Sequence, residues 1–227
     1  MDSFFITSTG TGIGKTLVVT ALCSQLRQQG KKVTALKPIV SGFTYDDPES
    51  DPALILKSCG LTPTKPLMDT ISPWRFTAPI APNMAALGEG KTIDLDKVIA
   101  YCRDHTNLKS DAVLLEGAGG VMAPISDQYT MLDWMAGLRW PAILVAGSYL
   151  GSLSHTLTAV EALRGRGVPV RALVISESEK SPMPLSDTTS TLEKFMPRDI
   201  PVVKIPRLPV RSEPWKHVPP ISWIIKS

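Results

Sequence analysis

A glycine-rich segment near the beginning of the chain has the residue types that bind phosphate groups. Residues 8–16 read Ser-Thr-Gly-Thr-Gly-Ile-Gly-Lys-Thr and lie between an apolar run and a stretch with helical periodicity. Glycines let backbone N–H groups turn toward phosphates, and the following helix adds its positive dipole. In such a loop Lys15 reaches the β- and γ-phosphates of a nucleotide, and the Thr16 hydroxyl ligates magnesium. Thr9 stands at the first glycine position of the strict pattern, so a tight turn without a ligand is the alternative.

Three further polar side chains could take part in the same chemistry. Lys37 directly follows the apolar run 33–36, and Glu116 directly follows the run 112–115. Ligands of open α/β sheets bind beyond the carboxyl ends of the strands, so both side chains are predicted to lie near the phosphate loop. There a second ammonium could neutralise a transferring phosphoryl group, and a carboxylate suits Mg²⁺. The alternatives are a surface lysine at a strand end and, for Asp51 in a polar loop, a helix N-cap instead of a metal ligand.

The elements that must position these residues alternate along the chain. Near-continuous apolar runs fit strands that are buried on both faces, as in a parallel sheet covered by helices. Strands are predicted at residues 4–7, 33–36, 112–115, 142–145, 170–175 and 201–205. Apolar residues at helical spacing predict helices over 17–26 with a stop at Gly30, over 95–102 behind an Asp94 N-cap, and over 153–163, closing at Gly165 and Gly167.

This alternation predicts a doubly wound, mostly parallel α/β sheet with helices on both faces. We see no internal repeat and no linker that would divide the chain, so we expect one domain over residues 1–227. Residues 178–185 and 206–220 are rich in proline and polar residues and are predicted to be loops.

The composition excludes several classes of protein. Of 227 residues, 43% are hydrophobic and 20% charged, which indicates a folded chain, and the net charge of +3 is too small and too scattered to indicate a nucleic-acid or membrane partner. Cys23, Cys59 and Cys102 are far apart and odd in number, so reduced thiols are expected, and the three histidines are too dispersed to predict a zinc site. The apolar run 4–6 is too short for a signal peptide, so we expect a cytoplasmic location.

The ordered set of motifs resembles the dethiobiotin synthetase family. The main pieces are Thr9-x-Thr11-x-Ile13-Gly14-Lys15-Thr16, Lys37-Pro38-x-x-Ser41-Gly42, Ser50-Asp51 and Glu116-Gly117-Ala118-Gly119-Gly120. Further matching pieces are Phe76-x-x-Pro79-x-x-Pro82, Pro124-x-Ser126-Asp127, Asp133-Trp134 and Leu150-Gly151-x-x-x-His155. The resemblance covers most of the chain in order and is weakest after about residue 176.

The resemblance implies a P-loop NTPase-like fold and a defined reaction. The family closes the ureido ring of dethiobiotin, in biotin biosynthesis, from 7,8-diaminononanoate, carbon dioxide and MgATP, with ADP and phosphate as products. The path runs through a carbamate and a mixed carbamic–phosphoric anhydride. The resemblance also implies a homodimer with the substrate bound at the subunit interface.

By position, the resemblance implies catalytic, nucleotide, metal and substrate residues. The catalytic set is Lys37, Lys15 and Thr11. The nucleotide set is Gly12, Ile13, Gly14, Lys15, Thr16, Leu17, Asp51, Glu116, Gly117, Ala118, Gly119, Ser176, Glu177, Pro206, Arg207 and Leu208. The metal set is Thr16, Asp51 and Glu116. The substrate set is Ser41 and Lys37, with Tyr149, Leu150, Gly151 and Ser152 contributed by the partner subunit.

The chain departs from the family pattern in three places, one of which is the base-side stretch 206–208, where only Pro206 matches. Ser8 stands where the family usually has a glycine, and a positive φ angle there would be a problem for serine. Ser176 stands where familiar members have an asparagine. A serine lacks the paired donor and acceptor of an amide, so we expect looser base selection.

Other classes of protein remain open at this stage. Nucleotide-switch ATPases of the partition or septum-placement type resemble the phosphate loop, but they carry an extra lysine where this chain has Gly10. Cobyrinate-amidating ligases carry a glutaminase domain for which 227 residues are too few. A non-catalytic paralogue is weakly suggested by the two serine differences. The helical spacing of Ser152 and His155 could indicate a Ser–His hydrolase, but no nucleophile elbow surrounds Ser152. We therefore expect a helix cap for Ser152 and a packing or interface role for His155.

Overall fold

The computed structural model describes residues 2–107, 109–209 and 212–225. In chain order the strands are β1 (Asp2–Ser8), β2 (Val33–Leu36), β3 (Ile39–Ser41), β4 (Trp74–Phe76), β5 (Ala112–Glu116), β6 (Ala142–Ala146), β7 (Val170–Ser176) and β8 (Val202–Ile205). Six of them form one sheet in the order β2-β5-β1-β6-β7-β8, with every neighbouring pair parallel, and β3 and β4 form a separate parallel pair.

Helices connect most of these strands. They are α1 (Lys15–Gln28), α2 (Asp51–Ser58), α3 (Lys65–Ile71), α4 (Pro82–Gly88), α5 (Leu95–Asp104), α6 (Met131–Leu138), α7 (Ser152–Gly165) and α8 (Leu185–Glu193), with 3₁₀ turns at His105–Asn107, Pro214–His217 and Ser222–Ile225. Local sequence explains several of their ends. Asp94 caps α5 by accepting a hydrogen bond from the Lys97 N–H at 3.2 Å, and Thr130 and Asp133 form a capping box at α6.

The hydrophobic core lies on both faces of the central sheet. Phe4 and Ile6 of β1 belong to the cluster that contains α1 and α2, whereas Phe5 belongs to the cluster that contains α5 to α8. This alternation is what a strand buried on both faces requires. The ring of Phe5 meets that of Trp134 edge-on, with centroids 5.0 Å apart. The strand that leads into the phosphate loop is therefore packed on both of its faces.

The end of the described chain packs against α1. The Gln25 side chain accepts hydrogen bonds from the N–H groups of Ile221 and Ser222 at 2.8 and 3.0 Å. Its amide donates to the carbonyls of Val218 and Pro219 at 3.3 and 3.0 Å. We refer to residues 212–225 as the C-terminal segment. It is hydrogen-bonded to α1, the helix that follows the phosphate loop.

The structure confirms the predicted doubly wound sheet and the six predicted strands. The three predicted helices and the Asp94 cap are also present. The loop predictions were wrong in part, because Leu185, the last residue of the first predicted loop, begins α8, and residues 214–217 inside the second form a 3₁₀ turn. Residues 210 and 211 of the second predicted loop lie outside the described residues. Cys23, Cys59 and Cys102 are free thiols, and the chain fold brings Cys23 and Cys59 into contact. In the ranges that the structure describes, no helix is both long and apolar enough to span a membrane.

The prediction of a helix cap at Ser152 was also wrong, and the cap alternative for Asp51 is excluded. Gly151, not Ser152, is the N-cap residue of α7, because the chain enters this helix with a φ angle of 94° that glycine accommodates. Asp51 is the first residue of α2 and Ser50 occupies the N-cap position, so the N-cap alternative for Asp51 fails.

Candidate active site

The loop between β1 and α1 lines a cavity of about 820 Å³. Gly12 and Gly14 have φ angles of 71° and 107°, which side chains other than glycine rarely adopt. Gly14 is the N-cap residue of α1, and its carbonyl accepts the hydrogen bond of the Val18 N–H at 3.1 Å. The free N–H groups of the first turn of α1 therefore lie beside the loop, where an anion is favoured. All of residues 9–16 line the cavity.

Lys15 is buried at the base of this loop. Its Nζ donates to the Ser8 hydroxyl at 3.0 Å, to the Gly119 carbonyl at 2.9 Å and to the Gly10 carbonyl at 3.3 Å. None of these partners carries a charge. Burial, reinforced by the nearby charge of Lys37, lowers the pKa of Lys15 to about 8. The direct hydrogen-bond partners of this ammonium are thus uncharged, and the carboxylates of Glu116 and Asp51 offset the effect of burial only in part.

Lys37 also makes three hydrogen bonds, but two of its partners are carboxylates. Its Nζ lies 2.6 Å from Glu116 Oε1 and 2.9 Å from Asp51 Oδ2, and it donates to the Gly117 carbonyl at 3.0 Å. Burial opposes the charge of Lys37, but the two carboxylates outweigh it and raise the pKa of the ammonium above its usual range. Burial raises the pKa of Glu116, an effect that Lys37 partly offsets.

Thr16 links the same two carboxylates. Its hydroxyl lies 2.8 Å from Asp51 Oδ1 and 2.9 Å from Glu116 Oε1. The second carboxylate oxygen of Glu116 is buried and has no hydrogen-bond partner among the residues that the structure describes. A hydroxyl and two carboxylates that converge, with one oxygen left unpaired, fit a magnesium ion, which takes oxygen ligands from one or two carboxylates and from phosphate. Within the described residues, no group of three or more His, Cys, Asp or Glu side chains could hold a metal by itself.

A second glycine-rich loop, residues 117–120, lies directly against the phosphate loop. A Cβ atom on Gly120 would come within 3.2 Å of backbone atoms of Thr9 and Gly10. A Cβ atom on Gly117 would approach the Phe5 ring to 2.7 Å, and Gly119 has a φ angle of 66°. Gly120 therefore lets the two loop backbones approach closely, and Gly117 leaves room for the Phe5 ring. Through the Gly119 carbonyl the second loop also holds Lys15.

Ser8 does not disturb the phosphate loop. It is the last residue of β1 and is fully buried. The non-glycine residues with positive φ angles in the described part of the chain are Arg139 and Glu213. The backbone difficulty that a glycine-to-serine difference could have caused is therefore absent.

The structure brings together most of the residues singled out from the sequence. Thr11, Ser41, Ala118 and Gly119 line the cavity together with Lys15, Lys37, Thr16, Asp51 and Glu116. Leu17 is partly buried against the core instead. Gly117 offers its carbonyl to Lys37 from the edge of the cavity.

The expected base-side residues lie apart from this cavity. The residues that line it, as far as the chain is described, include none of Ser176, Glu177, Pro206, Arg207 and Leu208. Ser176 adjoins the phosphate loop at Gly14, since a Cβ atom there would lie 2.9 Å from the serine hydroxyl. The Glu177 carboxylate accepts a hydrogen bond from the Arg207 N–H at 2.8 Å and so ties the ends of β7 and β8 together.

Helix α7 lines the cavity from His155 onward, whereas residues 149–152, which were expected to contact the substrate from the partner subunit, are not among the described residues that line it. Leu150 is 86% exposed next to Gly151, and Ser152 is buried in the first turn. His155 lines the cavity, and its Nδ1 lies 2.9 Å from the Tyr149 hydroxyl.

Residues 79–82, Met122 and Thr158 also line the cavity, and no chemical argument from the sequence had selected them. The Pro79 and Pro82 spacing, matched only as part of the family resemblance, was the available signal.

Together these groups can neutralise a large negative charge. Two ammonium groups and a site suited to magnesium surround a phosphate-binding loop, and the described side chains in the cavity include no activated serine or cysteine nucleophile. The arrangement suits charge neutralisation and alignment in phosphoryl transfer better than covalent catalysis.

Comparisons with known proteins agree with this description. A family model described as an AAA domain matches residues 2–214. The chain is 46% identical over 198 residues to the ATP-dependent dethiobiotin synthetase of Caulobacter vibrioides (strain NA1000 / CB15N), covering 86% of this chain and 88% of that relative. It is 39% identical over 211 residues to the ATP-dependent dethiobiotin synthetase of Acidiphilium cryptum (strain JF-5), covering 92% and 95%.

Solved structures share the fold at low sequence identity. The septum site-determining protein MinD from Pyrococcus horikoshii OT3, complexed with Mg-ADP, matches with a TM-score of 0.58 and 20% identity over 96% of this chain and 86% of that chain. A ParA family ATPase from Chlorobium tepidum TLS matches with a TM-score of 0.53 and 15% identity over 95% and 87%. These likenesses support the P-loop NTPase-like fold alone.

Proposed function

Because this chain belongs to the dethiobiotin synthetase family, we propose that its cavity joins 7,8-diaminononanoate and carbon dioxide at the expense of ATP to give dethiobiotin, ADP and phosphate. The chain is an ATP-dependent ligase of biotin biosynthesis. The observation that carries the detailed proposal is the convergence of Lys15, Lys37, Asp51 and Glu116 on one phosphate-binding loop. The switch-ATPase alternative shares the fold, but sequence identity of 39–46% over most of the chain favours the ligase.

In the proposed mechanism the protein aligns reactants and neutralises charge. One substrate amine adds to carbon dioxide to form a carbamate, and a carbamate oxygen then attacks the γ-phosphorus of ATP, so that the bond to ADP breaks. The second amine attacks the carbonyl carbon of the resulting mixed anhydride and expels phosphate, which closes the ring. Alignment of this kind can be worth about 7–11 kcal/mol.

The polar side chains take distinct roles in this proposal. Lys15 binds the β- and γ-phosphates, while Lys37 stabilises the carbamate and the transferring phosphoryl group. Thr11 and Ser41, which line the same cavity, hydrogen-bond the carbamate and the substrate. Before the reactants bind, the ion pairs with Asp51 and Glu116 keep the Lys37 ammonium charged. Lys37 then exchanges one of these carboxylate partners for the reacting groups.

Magnesium would be held by Thr16, Asp51 and Glu116. Three observations support this set: the shared hydroxyl, the depressed pKa of Asp51 and the unpaired oxygen of Glu116. Although burial opposes ionisation, Lys37 and Thr16 hold the pKa of the Asp51 carboxyl below its usual range, so a charged ligand is available. Bound magnesium supplies electrophilic stabilisation of the phosphate oxygens.

We further propose a cytoplasmic homodimer whose partner subunit completes the substrate site through Tyr149, Leu150, Gly151 and Ser152. Leu150 is 86% exposed, and Ile80 and Met122 at the cavity are 46% and 58% exposed, which is unusual for large apolar side chains. The N-terminus of α7 suits a substrate carboxylate. Sedimentation analysis should give a dimer that Leu150→Asp weakens; a monomeric, fully active enzyme would overturn this part.

The base of the nucleotide is proposed to lie toward Ser176, Glu177 and residues 206–208. Ser176 adjoins the phosphate loop at Gly14, and a single hydroxyl discriminates poorly between bases. We expect turnover with GTP or CTP within about tenfold of turnover with ATP, because the Ser176 hydroxyl can contribute one hydrogen bond, worth about 0.5–1.5 kcal/mol, to the choice of base. A preference for ATP of a thousandfold would contradict looser base selection.

A product assay tests the whole proposal. The purified protein is mixed with 7,8-diaminononanoate, bicarbonate, magnesium and ATP, and the products are identified by mass spectrometry beside a control without the diamine. Dethiobiotin and diamine-dependent ADP release are expected. ATP hydrolysis that ignores the diamine would overturn the proposed acceptor and favour a nucleotide-switch ATPase.

A further inference from the structure

Ser8 occupies an unusual place beneath the phosphate loop. It ends β1, its side chain is fully buried, and its backbone carbonyl accepts a hydrogen bond from the Val121 N–H at 2.9 Å. Its hydroxyl therefore has no access to solvent and must find all its partners within the protein. Those partners are Lys15, Gly10 and Gly119.

The hydrogen-bond directions in this cluster follow from simple counting. The ammonium of Lys15 has three hydrogens and no acceptor, so it donates to the Ser8 hydroxyl at 3.0 Å. The hydroxyl has one hydrogen of its own, which it donates to the carbonyl of Gly10 at 2.5 Å or of Gly119 at 3.1 Å. The Ser8 oxygen thus accepts a hydrogen bond from Lys15. Because its own O–H donates to a backbone carbonyl, the lone pairs of the Ser8 oxygen are turned toward Lys15.

We propose that Ser8 is a positioning residue for phosphoryl transfer, which fixes the Lys15 ammonium at the base of the phosphate loop. The inference rests on the proposed function, since it assumes that Lys15 binds the nucleotide phosphates. One N–H of Lys15 stays on the Ser8 hydroxyl, while the two N–H groups now on the Gly10 and Gly119 carbonyls turn to phosphate oxygens. A fixed donor needs little reorganisation when the phosphates arrive.

The neighbouring hydroxyl shows that this role is specific. Thr9 Oγ1 is buried one residue away and, in the described part of the chain, has no hydrogen-bond partner. A position at the base of the loop is therefore not enough to give a hydroxyl a hydrogen-bond partner. The Ser8 hydroxyl is the one that lies within reach of Lys15, and both lie against the second glycine-rich loop.

The experiment is a double-mutant cycle on nucleotide affinity. Native protein, Ser8→Ala, Lys15→Met and the double variant are titrated with the magnesium complex of a non-hydrolysable ATP analogue. We expect Ser8→Ala to lose about tenfold in affinity and in kcat, the scale of one charge-assisted hydrogen bond, with KM for the diamine unchanged. In the Lys15→Met background Ser8→Ala should change the affinity by less than twofold, because Ser8 acts through Lys15.

Ser58→Ala is the matched control. Ser58 is 2% exposed and donates to the Ile55 carbonyl at 2.7 Å, so the variant also loses a buried serine hydrogen bond, but far from the loop. It should bind the analogue like the native protein. An equal loss from Ser8→Ala with and without Lys15 would reveal a merely structural role and overturn the inference. Native-like Ser8→Ala beside a weakened Lys15→Met would overturn it too and leave the proposed function standing, whereas a native-like Lys15→Met would overturn the phosphate role of Lys15 itself.

Discussion

Lys37 and Glu116 form a buried ion pair, with Nζ and Oε1 2.6 Å apart, because their strands are neighbours in the sheet. The β2–β5 register pairs Leu36 with Leu115, so the next residue of each strand falls at the same level of the sheet edge. Because the C-terminal ends of β2 and β5 lie side by side, the Lys37 ammonium and the Glu116 carboxylate lie together beside the phosphate loop.

Replacing Lys37 by Met should lower kcat by at least about a hundredfold, the scale of losing one preorganised donor. The protein should still fold, but with a lower Tm, because removing one partner of a buried pair costs about 3–5 kcal/mol. Lys57→Met is the control, since this α2 lysine is one-third exposed and pairs with Glu49 only at 3.8 Å. Near-native turnover of a folded Lys37→Met protein, measured as ADP release, would rule out the catalytic role.

Replacing Glu116 by Gln should raise the magnesium concentration that gives half-maximal activity by about tenfold or more, because a neutral amide is a poorer ligand than a carboxylate. Lys37 keeps Asp51 as a counterion, so the fold should persist. Magnesium titrations of the native enzyme, Glu116→Gln and Glu161→Gln provide the measurement, since Glu161 is an exposed residue of α7. Identical curves for all three proteins would argue against ligation by Glu116.

The affinity for MgATP should fall as the pH rises above about 8. The pKa of Lys15 in the nucleotide-free protein is lowered to about 8 by burial and by Lys37, so the ammonium is present below that pH and is lost above it. Bound phosphates favour the ammonium, so the loss should approach about tenfold per pH unit. Calorimetric titrations from pH 6.5 to 9.5 measure this slope. Lys15→Met should give a flat profile, and a native profile that is equally flat would contradict the assignment.

Replacing Gly120 by Ala should weaken nucleotide binding more than it weakens the fold. The new Cβ atom would lie 3.2 Å from backbone atoms of Thr9 and Gly10, so the phosphate loop itself must move. We expect about a tenfold loss in affinity for a non-hydrolysable ATP analogue, the cost of misplacing a preorganised site. Gly165→Ala, at the end of α7 with open space around its Cβ position, should bind normally. Equal affinities for both variants would show that the two loops need not touch.

The sequence alone predicted the site residues that lie beyond the ends of strands. The apolar runs located β1, β2 and β5, and the rule that ligands bind beyond their carboxyl ends then brought Lys15, Lys37 and Glu116 together. Asp51 could be read as a cap or a ligand. Only the packing of α2 against α1 directs its carboxylate to Lys37 and Thr16.

Other features depend on contacts that no local pattern encodes. The β3 and β4 strands have three residues each, too few for a recognisable period. The C-terminal segment is held by Gln25, whose partners are about 200 residues away along the chain. The start of α7 at Gly151 differed from expectation because the backbone, with a φ angle of 94°, favours glycine there over a capping serine.

Lys15 and Lys37 are both buried, but their different hydrogen-bond partners give the two amines different chemical reactivity. An amine attacks an acylating reagent only in its neutral form, so a lowered pKa activates it and a raised pKa protects it. Lys15, with uncharged acceptors, is the nucleophile of the pair, whereas Lys37 is shielded by two carboxylates. A small electrophile that reaches the cavity at pH 8 would label the phosphate loop selectively, and bound nucleotide would mask that label.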